Sequence, residues 1–287
     1  ANGAQYRKDV HGFLPEMMKK IYDERVQSKK LMLIAKQEYE KAPSTELEKA
    51  ISKYNNIQMA RKIQLNSAYG AIGNQYFRYY NLINAEAITL SGQVSIRWIE
   101  NKVNGYLNKL LNTNEKDYVI ASDTDSIYLS LDKLVTTVYG DQEVSQEKVV
   151  NFLDKACKEK IEPFIDKSYQ ELAEYSNAYE QKMFMKRENI AARGIWTAKK
   201  RYILNVWDSE GVRYNQPKLK MMGIEAVKSS TPAPCRTAIK DALNIMMSGE
   251  QDELVKFIDD FKTKFYSLPP EDIAFPRSVN GLRKYKA

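Results

Sequence analysis

Cysteine is scarce in this chain. Its 287 residues include two, Cys157 and Cys235, too few and too far apart in sequence for a metal-ligand motif or a disulfide framework. A disulfide-stapled secreted scaffold is therefore excluded, and a reducing, intracellular (cytoplasmic) setting is the expectation. Long apolar runs are missing too. None approaches the roughly 20 residues that cross a bilayer, and the opening ANGAQYRKDVHG lacks the basic-then-apolar order of a secretion signal. The expectation is a soluble protein with no membrane partner. There is no internal repeat and no low-complexity tract. Neither the start on Ala1 nor the finish NGLRKYKA reads as a capped domain boundary, which suggests a piece of something longer.

What is present is a balanced globular composition, 43% hydrophobic and 28% charged. Lys and Arg number 44 against 37 Asp and Glu, a net +7. That is a modest bias toward a polyanionic partner, shared by many proteins that never meet nucleic acid. The length allows two domains, or one with a large excursion.

From Leu14 to about Tyr54 apolar positions recur at helical spacing, interrupted by Ala42-Pro43-Ser44-Thr45. The pattern predicts two antiparallel helices, the second running through Gln58 to Tyr69 and ended by Gly70 and Gly73. A long amphipathic helix is expected from about Ala85 to Leu111, and another from about Ser145 to Tyr175. Between Phe184 and Lys220 the chain is rich in β-formers, with Ser209-Glu210-Gly211 at a hairpin turn. Thr231-Pro232-Ala233-Pro234 is the clearest linker, and helices resume from Arg236 to Tyr266. Helices leading into strands and back to helices give an α+β fold class.

The most chemically suggestive segment is Tyr118 to Leu131, YVIASDTDSIYLSL. Asp123 and Asp125 sit between two β-rich runs, so a strand, a tight turn and a second strand are expected, with both carboxylates pointing one way by two-residue alternation. Paired carboxylates repel unless a cation lies between them, which makes a divalent metal the natural third party. The plainer alternative is a hairpin whose turn uses Asp and Ser because they hydrogen-bond their own backbone.

Two other stretches stand out. Lys62, Asn66 and Tyr69 are spaced i, i+4, i+7 on one helix face, followed by Gly70 and Gly73, where backbone can approach a flat ligand. Arg25 and Lys29, at i and i+4 on the preceding helix, would join Lys62 in a polyphosphate-binding cluster if the helices are antiparallel. A solvated helix face explains the same spacing. Lys199, Lys200, Arg201 and Tyr202 open a strand between Trp196 and Trp207. Alternation would put Lys200 with Tyr202 on one face and Lys199 with Arg201 on the other, either gripping a nucleic-acid backbone or protecting a sheet edge.

Together the motifs resemble those of family B DNA polymerases, in particular the replicative enzymes of T-even-type bacteriophages. Lys62 to Gly70 resembles KxxxNSxYG, Asp123-Thr124-Asp125-Ser126 resembles DTDS, and Lys199 to Tyr202 resembles KKRY. Asn74 to Tyr80, the helix from Asn84 to Thr89, and Lys220 to Glu225 leading into Ser229 to Pro232 add the phage character. The likeness runs from about Gly12 to Asn280, and three ordered motifs make coincidence very improbable.

The resemblance implies a polymerase palm with an antiparallel sheet and helices, a two-helix antiparallel fingers region and a partial helical thumb. The corresponding segments are residues 1–11 (palm), 12–74 (fingers), 75–231 (palm) and 232–287 (start of the thumb). It implies a DNA-templated DNA polymerase (nucleotidyltransferase) fragment that binds primer-template DNA and dNTP and uses two Mg²⁺ ions, with Mn²⁺ as a substitute. Asp123 and Asp125 would be catalytic and metal-binding. Arg25, Lys29, Lys62, Asn66, Tyr69 and Gly70 would bind dNTP, and Lys199, Lys200, Arg201 and Tyr202 the primer. A viral source would place it in host cytoplasm.

There are departures from the family pattern. No DxxSLYP motif supplies a further palm aspartate, the exonuclease carboxylate motifs and most of the thumb are absent, and the Glu188 to Trp196 loop is short. Ser122 replaces a usual glycine, and the fingers between Lys29 and Lys62 are compact. The expectation is negligible polymerisation by this chain alone. The missing carboxylate would come from an N-terminal polymerase/exonuclease polypeptide or from the remainder of the same protein. The alternative is a non-catalytic DNA-binding or assembly module that keeps the fold.

Overall fold

The computed structural model describes residues 1–140 and 142–284. Two compact units emerge: Ala1–Ile190 with Ser209–Arg213, and Ala191–Asp208 with Tyr214 onward.

The first unit opens with a helix pair, α1 (Phe13–Lys41) and α2 (Thr45–Ile72). Pro43 ends the first helical pattern and the Ser44 side chain starts the second by accepting from the Leu47 N–H, with Glu46 and Glu48 complementing the helix dipole. The Arg61–Glu24 ion pair at 2.7 Å and the Tyr39–Glu48 hydrogen bond at 3.2 Å fix the two helices as antiparallel neighbours. Gly70, expected to end α2, lies inside it, and the helix runs on to Ile72 with Gly73 as C-cap. One helical glycine costs only about 1 kcal/mol relative to alanine, too little to stop a helix this long.

Helix α3 (Leu82–Leu110) begins at Asn81, whose side chain caps the Asn84 N–H at 2.9 Å. Its Ile99, Val103 and Leu107 are fully buried and spaced four apart, one stripe facing a core shared with Tyr118, Val119, Ile161, Ile165, Tyr169 and Leu172. Strands β1 (Val119–Asp123) and β2 (Ser126–Leu129) pair antiparallel, Ser122 opposite Ile127 and Asp123 opposite Ser126. A short helix, α4 (Asp132–Tyr139), follows and buries Leu134; it is too brief for its pattern to stand out in the sequence. The expected helix over 145–175 is instead α5 (Gln146–Ala156), a π-helical turn at Cys157–Ile161, and α6 (Glu162–Tyr175). Pro163 explains the interruption. It has no N–H to donate and its ring crowds the carbonyl four residues earlier, and the wider turn relieves both.

In the second unit β3 (Asn189–Ala198), β4 (Arg201–Ser209) and β5 (Val212–Met222) form a sheet of order β3-β4-β5. Two-residue turns join neighbouring strands, so the sheet is an antiparallel meander. Residues 189–196, expected as a loop, are strand. Helices α7 (Ala233–Ser248) and α8 (Gln251–Tyr266) and the short α9 (Pro270–Ile273) complete the unit. Ile203, Ile224, Ala226, Leu243 and Met247 form its core. The fold is mixed α+β, as expected.

Candidate active site

Asp123 is the last residue of β1, and Asp125 lies in the turn before β2. The Asp125 N–H donates to the Asp123 carbonyl at 2.7 Å across Thr124, which has φ 59°. This is a γ-turn with a β-branched residue in the left-handed region, an uncommon and costly conformation. The carboxylates are therefore related by a tight turn, not by the strand alternation expected from the sequence. The Thr124 hydroxyl donates to the Asp123 carboxylate at 2.9 Å, and the Ser126 hydroxyl to the Asp123 carbonyl at 3.2 Å.

The hairpin rests on α3 and α6. Asn104 Oδ1 on α3 accepts from the N–H groups of Tyr118 and Val119 at 2.9 and 3.0 Å, anchoring the start of β1. Tyr169 on α6 is buried. Burial, and secondarily the charge of Asp125, push its phenol up to about 12, so it stays protonated at neutral pH beside the acidic turn.

Two carboxylates suit Mg²⁺, a hard cation held by one or two protein carboxylates and completed by water and substrate phosphates. Among the described residues no three His, Cys, Asp or Glu side chains gather as a metal cluster; the turn offers the two carboxylates of Asp123 and Asp125.

The antiparallel register of α1 and α2 sets Arg25 level with Lys62, because Glu24 and Arg61 meet across the pair. Lys29 lies one helical turn along, about 6 Å. Arg25 and Lys29 are half-buried, while Lys62, Asn66, Tyr69 and Gly70 are exposed. Lys62 has no ion-pair partner among the described residues, and the buried Arg25 Nε has no hydrogen-bond acceptor there. Lys29 is ion-paired to Glu210. The Tyr69 hydroxyl shares a 2.6 Å hydrogen bond with Thr89, tying the end of α2 to α3. Helix α3 thus supports Tyr69 at Thr89 and the acidic hairpin at Asn104, points about 22 Å apart along its axis.

The four basic and aromatic residues at 199–202 lie in the second unit and differ from the expected strand arrangement. Lys199 and Lys200 form the turn between β3 and β4, Lys200 with φ 63°, and both are exposed. Only Arg201 and Tyr202 are in the strand, so the predicted alternation does not hold. Gly223 shapes this turn. It has φ 66°, and a β-carbon there would stand 2.5 Å from the Lys200 carbonyl oxygen, so no other residue fits without displacing backbone. Arg201 pairs with Glu225 at 2.5 Å, and Lys228 reaches the same carboxylate at 3.0 Å. The hydrogen bond from Lys228, joined by Arg201, holds Glu225 below the usual carboxylate range. Tyr202 is buried, with its ring 6.3 Å from that of Trp196.

A third group of charges has a structural character. Burial alone would raise the Asp154 carboxyl, but hydrogen bonds from Lys158 and Arg187 and their charges outweigh it and leave it lowered. Arg187 lies 2.5 Å and Arg213 3.3 Å from Asp154. Cys157 is buried, which pushes its thiol up to about 11, so it is not a nucleophile. Sequence reasoning missed Tyr169, Thr89, Asn104 and Glu210. Tyr169 and Asn104 belong to no motif, Thr89 was noted only as the end of the Asn84 to Thr89 segment, and Glu210 registered only as a turn residue.

The family model for DNA polymerase family B matches residues 2–269. The chain is 41% identical over 248 residues to the DNA-directed DNA polymerase of Enterobacteria phage T4, covering 84% of this chain and 28% of that protein. It is 37% identical over 333 residues to the DNA-directed DNA polymerase of Escherichia phage RB69, covering 99% of this chain and 37% of that protein. A DNA polymerase of Pyrococcus glycovorans is 27% identical over 288 residues. The chain thus spans about a third of the length of these relatives.

Proposed function

Since the chain belongs to DNA polymerase family B, we propose that it supplies the nucleotide-binding helices and two of the metal-binding carboxylates of a DNA-templated DNA polymerase. Residues 12–74 act as fingers, 1–11 and 75–231 as palm, and 232–287 as the start of the thumb. The observation that carries this reading is the joint support given by α3, which braces Tyr69 at one end and the Asp123/Asp125 hairpin at the other.

Asp123 and Asp125 would hold two Mg²⁺ ions, or Mn²⁺ in their place, with Asp125 the more important ligand. Held there, the ions would supply Lewis-acid activation of a primer 3′-hydroxyl and charge neutralisation at the leaving phosphates. Thr124 orients the Asp123 carboxylate, and Tyr169 stays neutral so that it adds no like charge. Arg25, Lys29 and Lys62 bind the triphosphate through charge-assisted hydrogen bonds. Asn66 supports that contact, and Tyr69 with Gly70 packs at the nascent base pair. Lys199 and Lys200, exposed in their turn, reach the primer, and Arg201 and Tyr202 hold that turn in shape.

The partners are primer-template DNA, dNTP and a polypeptide segment carrying the palm aspartate of a DxxSLYP motif, which this sequence does not contain. Single-turnover primer extension with Mg²⁺ tests the proposal, comparing the chain alone with the chain plus such a segment. Extension only in the mixture is expected. Extension in neither would reject the reading in favour of a non-catalytic DNA-binding module.

A further inference from the structure

Of the three cations assigned to the triphosphate, Lys29 differs from the other two. Its ammonium is ion-paired to the Glu210 carboxylate, whereas Arg25 and Lys62 have no ion pair among the described residues. Glu210 arrives from far along the chain, at the β4–β5 turn, and the turn is shaped to deliver it. Glu210 has φ 53° and Gly211 φ 92°, and the Glu210 N–H donates to the Glu188 carbonyl at 2.5 Å. The strand that leaves this turn grips α1 two helical turns further on, where the N–H of Arg213 in β5 donates to Gln37 Oε1 at 3.2 Å. Arg213 also reaches Asp154, which Arg187 holds from the other side. The side chains of Lys29 and Glu210 keep only 31% and 24% of their exposure, so the pair is partly shielded from water and from salt.

We propose that Glu210 is an internal competitor for the nucleotide's polyphosphate, a carboxylate that neutralises Lys29 until the incoming triphosphate displaces it. This rests on the reading of Lys29 as a triphosphate ligand. A single carboxylate offers one negative charge, and a triphosphate offers three or four over several acceptor oxygens, so the exchange favours the nucleotide. A diphosphate, with less charge, competes less well. Glu210 therefore lowers the affinity of any phosphate tail that has to displace it, by the worth of the ion pair. Displacing it also removes one of the ties that hold α1 to the turn, so nucleotide binding and release of the helix are linked.

Calorimetric titration of this chain with dATP and dADP, using Glu210→Gln, Lys29→Ala and the double variant, tests the inference. Glu210→Gln keeps the shape and the turn and removes the charge. It is expected to tighten dATP binding about two- to five-fold, the range of a partly exposed ion pair, and dADP binding by the same factor or less. Lys29→Ala should weaken dATP binding, and Glu210→Gln should have no further effect in that background. If Glu210→Gln leaves affinity unchanged or weakens it while Lys29→Ala still weakens binding, Glu210 is an orienting residue and the inference is overturned, with the triphosphate site intact. If Lys29→Ala changes nothing, the assignment of Lys29 itself fails.

Discussion

The acidic hairpin and the cationic helix pair belong to one proposed site, yet they are built on different terms. The hairpin rests against a core in which Ile99, Val103, Leu107 and Tyr118 are fully buried, and both the hairpin and Tyr169 are fixed from below. The helix pair, much longer, buries only Met32, Ala35 and Gln58. Its outer face exposes Met59 and Ile63 beside Lys62. Few buried contacts mean a low cost of local displacement. The comparison teaches that the carboxylates proposed to bind metal sit on the rigid element, where small errors in position would be costly, and the cations proposed to bind nucleotide on the element able to move. That division suits a site completed by closure over the substrate.

Several substitutions would break or sharpen this contrast. The largest effect is expected at the rigid side. Asp125→Ala should lower single-turnover extension by the reconstituted enzyme about 10³-fold or more, since metal stabilisation is worth several kcal/mol, while gel-shift affinity for primer-template DNA is unchanged. Asp154→Ala leaves the nearly buried Arg187 without this partner and should destabilise the first unit by about 3 kcal/mol, read from urea unfolding. On the mobile side the expected losses are in binding and not in stability. Lys62→Ala should weaken dATP binding about 10- to 100-fold, from the loss of a charge-assisted hydrogen bond worth about 1.5–3 kcal/mol, with the melting temperature unmoved. An unchanged affinity would remove Lys62 from the site.

Titration gives the smallest effects near neutral pH. The Asp154 carboxyl is lowered in the folded state, so its contribution is present above the unfolded value of about 3.9 and is lost as pH falls below it. The Tyr169 phenol is raised to about 12, so its contribution is complete below the unfolded value of about 10 and declines as pH rises from 10 toward 12. Stability measured across pH should therefore be flat between about 5 and 8. Tyr169→Phe should reduce the alkaline arm without touching the acid one, leaving the part that comes from the raised Cys157 thiol.

Much of this was legible in the sequence, and what was not has identifiable causes. Pro43 and Ser44 mark a helix boundary because one forbids continuation and the other caps a start. The β-rich runs around Asp123 and Asp125 predict the hairpin. The γ-turn was hidden because a threonine at φ 59° contradicts local preference, and a reading based on preference assigns extended chain there. Lys199 and Lys200 were placed in a strand for the same reason, since neither glycine nor asparagine announces the turn. What fixes that turn is Gly223, more than twenty residues later. The pairing of Lys29 with Glu210 spans 181 residues and leaves no periodicity to detect. The motifs were readable because they are local, and the contacts that orient them were not because they are tertiary.

The central claim is that the rigid carboxylates and the movable cations hold the two ends of one bound nucleotide, the metal linking them. The most direct test is dATP binding measured with and without Mn²⁺, corrected for the Mn²⁺–dATP complex in solution, for the unmodified chain and for Asp125→Ala. The account predicts that Mn²⁺ tightens dATP binding about ten-fold or more and that Asp125→Ala abolishes this gain while keeping the metal-free affinity set by Arg25, Lys29 and Lys62. An undiminished gain in Asp125→Ala would contradict it.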